Sequence, residues 1–164
     1  MNSERNRLGV LYSIRGILLS AALLLSCAAH AKSLAEPAKG VPDLEYQEIL
    51  IKTTLLTFND ANITANYAVL HDKLCKPFRD KFTPEQLADA FKGFRDKHIQ
   101  IDDIAGAKPV AAQDAAINDD GVLRLQGAFA TTTGRAISYD LKFIKSDDEW
   151  KALGINVDVK GHKD

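Results

Sequence analysis

The hydrophobic period of this 164-residue chain changes once, near Gly106. Before that point apolar side chains recur every three or four residues; after it, β-branched and aromatic residues alternate with polar ones in segments separated by turn chemistry. A helical period buries a stripe along a cylinder, whereas alternation buries one face of a pleated strand. Helices first and strands afterwards predict an α+β fold, with the helices on one face of an antiparallel sheet.

Three helices fit the first half. Asp43 can cap a helix on which Leu44, Ile49, Leu50, Leu56 and Phe58 recur until Asn59-Asp60-Ala61-Asn62 interrupts it. A second starts near Ile63 and carries Ile63, Tyr67, Leu70 and Leu74 as one apolar stripe, ended or kinked by Pro77. Thr83-Pro84-Glu85-Gln86 opens a third with threonine at the cap, proline in the first turn and glutamine where a capping box needs it; Leu87, Phe91 and Phe94 form its buried face.

Four strands fit the second half, at about 109–117, 122–131, 135–145 and 150–159. The links Asn118-Asp119-Asp120-Gly121, Thr132-Thr133-Gly134 and Ser146-Asp147-Asp148-Glu149 are short, which implies an antiparallel meander. In the last three strands Leu123, Leu125, Phe129, Ile137, Tyr139, Leu141, Phe143, Leu153, Ile155, Val157 and Val159 fall on one face. Arg124, Gln126, Ser138, Asp140, Lys142, Asn156 and Asp158 fall on the other.

The N-terminal residues read as an export signal. Arg5, Arg7 and Arg15 precede the apolar stretch 16–29, and Ala29-His30-Ala31 supplies a small-x-small site, so cleavage is expected after Ala31. At 14 residues the stretch is short of the roughly 20 a spanning helix needs, and no membrane span is expected after processing. Leu24-Leu25-Ser26-Cys27 also resembles a lipobox, in which Cys27 would be acylated. Either route predicts a periplasmic or secreted protein, anchored by lipid in the second case. The expected organisation is a signal peptide over 1–31, a tether rich in proline and alanine over 32–42 and one domain over 43–160.

Without residues 1–31 the chain carries 18 basic and 21 acidic side chains, a balance that argues against nucleic acid as partner. Cys75 then stands alone. It is either buried as a small apolar group or available for pairing between two chains, as in a homodimer, and burial is the commoner fate of such a residue.

The order of elements, Phe58-Asn59-Asp60-Ala61-Asn62 between helices and the closing Trp150-Lys151-Ala152-Leu153-Gly154-Ile155 strand together resemble the nuclear transport factor 2-like superfamily, also called SnoaL-like or cystatin-like, over residues 43–160. The resemblance implies a bent sheet wrapped around a long helix, a cone whose open end can hold an apolar ligand. Members include isomerases, dehydratases, cyclases, transport factors and exported accessory domains, so the fold leaves function to the site.

Enzymes of that superfamily place an aspartate, often with a histidine or tyrosine, on the inward sheet face. Here the inward positions of the last three strands hold no carboxylate or histidine, and Tyr139 is their single polar side chain. Tyrosine is a poor base at neutral pH, with an ordinary pKa of about 10. A shift of one residue in the first strand would turn Asp114 inward. The candidate ligand-binding residues are therefore Tyr139, Phe91, Phe94, Phe129 and Asp114.

His71 and Cys75, four apart with Asp72 beside them, admit a histidine-activated thiol, two ligands of a metal, or positions flanking an apolar stripe; the last is the commoner. No further cluster completes a metal site, and no cofactor motif appears. The acidic turns suit solvated hairpins better than calcium, which needs donors at alternating positions. The leading expectation is an exported, non-catalytic domain that binds a small apolar ligand or an envelope protein. The alternatives are a cofactor-free cone-type enzyme, isomerase- or dehydratase-like, using Asp114 and Tyr139, and a self-associating structural module.

Overall fold

The structure, a computed structural model, describes residues 40–146 and 148–161. The export leader, Cys27, residues 32–39 of the tether, Asp147 and His162 lie outside the described residues.

Helix α1 (Leu44–Thr64) starts where Asp43 Oδ1 accepts the Tyr46 backbone N–H at 2.8 Å, satisfying one donor that a helix start leaves open. The expected interruption at Asn59-Asp60-Ala61-Asn62 does not occur, and the helix runs through it. Asparagine weakens helices by competing for their backbone, but both of these are buried and otherwise engaged. Asn59 Oδ1 accepts from Ile101 N at 2.8 Å; Asn62 Nδ2 donates to Phe58 O at 2.8 Å, and its Oδ1 accepts from the Tyr67 hydroxyl at 2.7 Å. Tertiary bonds override local propensity here. The helix face also differs from expectation: Leu50, Ile51, Leu55 and Phe58 are buried, whereas Leu44 and Ile49 are 79% and 50% exposed.

The expected second helix is divided. Ile63 belongs to the last turn of α1 and is exposed, Ala65 turns the chain in the left-handed region at φ 55°, and only Ala68–Lys73 forms α2. Pro77 explains the next break. A helix continued through it would need a donor for the Lys73 carbonyl, which proline lacks, and would press its ring against that carbonyl. So α2 ends at Lys73, Leu74 and Cys75 are extended, and Pro77 enters the first turn of α3 (Lys76–Arg79).

The third expected helix begins as read, with both bonds of the Thr83/Gln86 capping box present, but it breaks at Phe91 into α4 (Pro84–Ala90) and α5 (Lys92–Asp96). A 3-10 turn, Asp102–Gly106, leads into the sheet.

The sheet has five strands rather than four: β1 (Pro109–Ala111), β2 (Ala116–Ile117), β3 (Val122–Ala130), β4 (Ala136–Ser146) and β5 (Glu149–Lys160), all antiparallel, in the order β1-β3-β4-β5 with β2 also on β3. The expected first strand is two short ones because residues 112–115 face only Leu125 and Gln126 across β3 and loop outward. Leu123, Leu125, Phe129, Ile137, Tyr139, Leu141 and Phe143 are buried and join the core side chains of the helices in one cluster. The opposite face carries the paired Arg124 and Asp140, with bonds of 2.9 and 2.6 Å. The fold is α+β, and no helix among the described residues is long and apolar enough to cross a membrane.

Candidate functional site

The site begins with an irregularity in β5. Gly154 lies opposite Lys142, but Ala152 lies opposite Phe143, so Leu153 is an extra residue bulged out of the ladder. Side chains alternate faces, and the extra residue reverses the alternation for everything before it. Ala152 rather than Leu153 is therefore buried on the inner face, and Trp150 turns inward with it. That corrects the expected inward list. The visible signal was Gly154, since glycine inside a strand marks or borders a bulge.

A second contact fixes this end of β5. The extended segment after α2 runs beside it: Leu74 bridges Ala152 in parallel, and Cys75 N donates to Ala152 O at 2.9 Å. Arg79 Nη1 holds the bend by donating to Asp72 O at 2.9 Å and Leu74 O at 2.8 Å.

Between α1, α2 and this end of β5 lies a cleft of about 240 Å³. Its apolar wall is Leu50, Leu70, Leu74, Phe143, Trp150 and Ala152. Thr53, Thr54, Thr57 and Lys73 supply hydroxyls and a cation, and half-exposed Tyr46 and Ile49 stand at its rim. Thr57 Oγ1 donates to Thr53 O at 2.8 Å and accepts from Lys73 Nζ at 3.0 Å, so the ammonium is moored to a buried hydroxyl. On the other side of that bond is a more polar hollow bordered by Asp60, Thr64 and Asn66. Three threonines on the helix face that also carries Tyr46, Ile49 and Leu50 were the sequence trace of this cleft.

None of the candidate site residues, Tyr139, Phe91, Phe94, Phe129, Asp114, His71 and Cys75, borders either hollow. Phe129 is fully buried; Phe91 and Phe94 meet Phe58 edge-on, at ring-centre distances of 4.8 and 5.1 Å. Tyr139 packs on Phe129 at 5.6 Å and lies across Gly127, where an added Cβ would fall 2.5 Å from the tyrosine oxygen. Gly127 is thus a socket for that ring. Burial pushes the Tyr139 hydroxyl up to about 12, which removes it further from service as a base. Asp114 is exposed on the loop between β1 and β2.

His71 and Cys75 are not neighbours on one helix face, because α2 ends between them. Cys75 is fully buried, while His71 Nε2 bonds Phe82 O at 2.8 Å and Nδ1 lies 3.7 Å from Asp72. Among the described residues no three His, Cys, Asp or Glu side chains gather as a metal site would require.

One polar cluster escaped the sequence reading. Arg135 Nη2 meets Asp103 Oδ2 at 2.8 Å, Thr133 donates to the same oxygen at 2.9 Å, and Arg135 Nη1 donates to Gln100 O at 2.7 Å. Burial alone would raise the Asp103 carboxyl, but the bonds from Arg135 and the threonines outweigh it and hold it below its ordinary range. The cluster ties the 3-10 turn to the β3–β4 hairpin, a structural clamp. Comparison of the chain with protein families, with curated proteins and with solved structures finds no match in any of the three.

Proposed function

We propose that this chain is a non-catalytic binding domain of the cone type, exported from the cytoplasm, that takes a small, largely apolar ligand in the cleft between α1, α2 and the start of β5. The observation that carries the reading is that cleft: an aromatic and aliphatic wall with a few polar groups along one side, the usual make-up of a small-molecule site. At about 240 Å³ the cleft is somewhat below the roughly 300 Å³ from which drug-sized sites run, so the ligand is small. The arginine-led apolar leader supports export, and the helices laid on one face of a bulged sheet support the cone.

The sequence holds one tryptophan, Trp150, in the cleft wall, so its emission reports on this site. Titration with 1-octanol, a probe of suitable size, is expected to change Trp150 fluorescence saturably. Filling the cleft with Thr54→Leu is expected to abolish the change. A linear, non-saturating response to 1-octanol in the unmodified protein would remove the reading.

A further inference from the structure

The charges around the cleft define its ligand further. Its lining includes two lysines and no carboxylate. Lys151 is paired with Glu149, as Lys52 is with Glu48, Lys76 with Asp80 and Lys92 with Asp96. Lys73, an exposed side chain, is the lysine of this lining that differs: as with Lys81 and Lys97 elsewhere, no carboxylate among the described residues lies within ion-pair distance of it, although Asp60 borders the neighbouring hollow. Its partner is the Thr57 hydroxyl, whose own hydrogen is directed to Thr53 O, so Thr57 presents a lone pair to the ammonium. An ammonium has three hydrogens, and this bond uses one.

We infer that the ligand is a small amphiphilic monocarboxylate, its carboxylate held by Lys73 beside the threonines and its hydrocarbon part laid against Phe143, Trp150, Leu50 and Leu70. One unpaired ammonium matches one negative charge; a doubly charged phosphate monoester would lack its second cation, since Lys151 is committed to Glu149. Tyr46 and Ile49, 40% and 50% exposed at the rim, continue the apolar surface for the end of a chain longer than the cleft. Orientation follows from the same layout, with the carboxylate at the Thr57–Lys73 end of the cleft and the tail running toward Trp150, Ile49 and Tyr46.

This inference rests on the binding reading above, and octanoate against 1-octanol separates the two. Octanoate is expected to bind about tenfold more tightly than the alcohol, the scale of one charge-assisted bond, and to lose that margin as ionic strength rises. Lys73→Gln should reduce octanoate affinity about tenfold and 1-octanol affinity by much less, so that the margin between the two probes closes, while Lys73→Arg keeps most of the margin. Far-ultraviolet circular dichroism checks that each variant is folded. If both probes bind equally, or if Lys73→Gln weakens both alike, the carboxylate assignment is wrong and the apolar site stands. Failure of both probes to bind overturns the assignment and the site together.

Discussion

The two ends of the interior contrast along a single helix. Toward one side α1 offers Leu55 and Phe58, and the neighbouring elements answer with Phe91, Phe94 and Tyr67, rings within 4.8 to 6.3 Å of one another where they pair. Toward the other it offers Thr53, Thr54 and Thr57, and the facing strand offers Ala152. The first combination fills the volume between helices and sheet. The second leaves it open, because threonine and alanine do not reach across a spacing set by phenylalanine and leucine elsewhere. Cavity and core are therefore one decision, made by side-chain volume on a shared scaffold, and the open end sits where the β5 bulge delivers the aromatic Trp150 to line it.

The contrast predicts unequal costs. Phe58→Ala is expected to destabilise the protein by about 3–5 kcal/mol, since it removes a fully buried ring from between two others and the surroundings collapse only in part. Urea unfolding followed by circular dichroism measures it, and a loss below about 1 kcal/mol would mean that the aromatic end is not closed. Asn62→Ala comes next, at about 1–3 kcal/mol, because it strips the Tyr67 hydroxyl of its buried acceptor. The Arg95 Nη1 donor at 3.1 Å still serves the lone pair of that hydroxyl but cannot accept its hydrogen, so the donor is left unmatched.

At the open end the same kind of measurement should give little. Thr54→Leu adds a branched side chain to space already present, so its effect on stability is expected within about 1 kcal/mol, while 1-octanol and octanoate binding disappear. Stability loss comparable with that of Phe58→Ala would show that the cleft is packed space, and the contrast would break.

How far this layout could be read from the sequence divides along similar lines. The change of period at Gly106, the Asp43 cap, the Thr83 capping box and the Asn118–Gly121 turn, in which Asn118 Oδ1 accepts from Val122 N at 2.9 Å, are local signals and appear where expected. The continuous α1 was not legible. It depends on Asn59 meeting Ile101 N, a partner 42 positions away, and on Asn62 meeting Tyr67. Nor was the inward turn of Trp150, because one bulged residue reverses every assignment before it. The cleft itself is a deficit of volume, traced in the sequence by nothing more than Thr53, Thr54, Thr57 and Ala152. Phe91 and Phe94, which looked like ligand contacts, close the other end around Phe58.

Tyr139 carries the smallest expected effect and the sharpest test of closure. Its hydroxyl is held neutral by burial, with the pKa pushed from 10.0 to about 12. Unfolded chains release this proton near pH 10 and the folded protein retains it, so the folded state binds the extra proton between those values. Stability from this group is present in full below pH 10 and is lost as pH rises toward 12. Tyr139→Phe leaves the Gly127 socket occupied by the same ring, and at pH 7 the variant is expected to match the original within about 0.5 kcal/mol. Between pH 10 and 12 the variant should lose stability less steeply. Tyr46 and Tyr67 remain in both proteins, so the difference between their pH profiles belongs to residue 139. Parallel profiles would mean that water reaches the hydroxyl, and that the interior stays open beyond the cleft into the part of the sheet that Phe129 and Tyr139 fill.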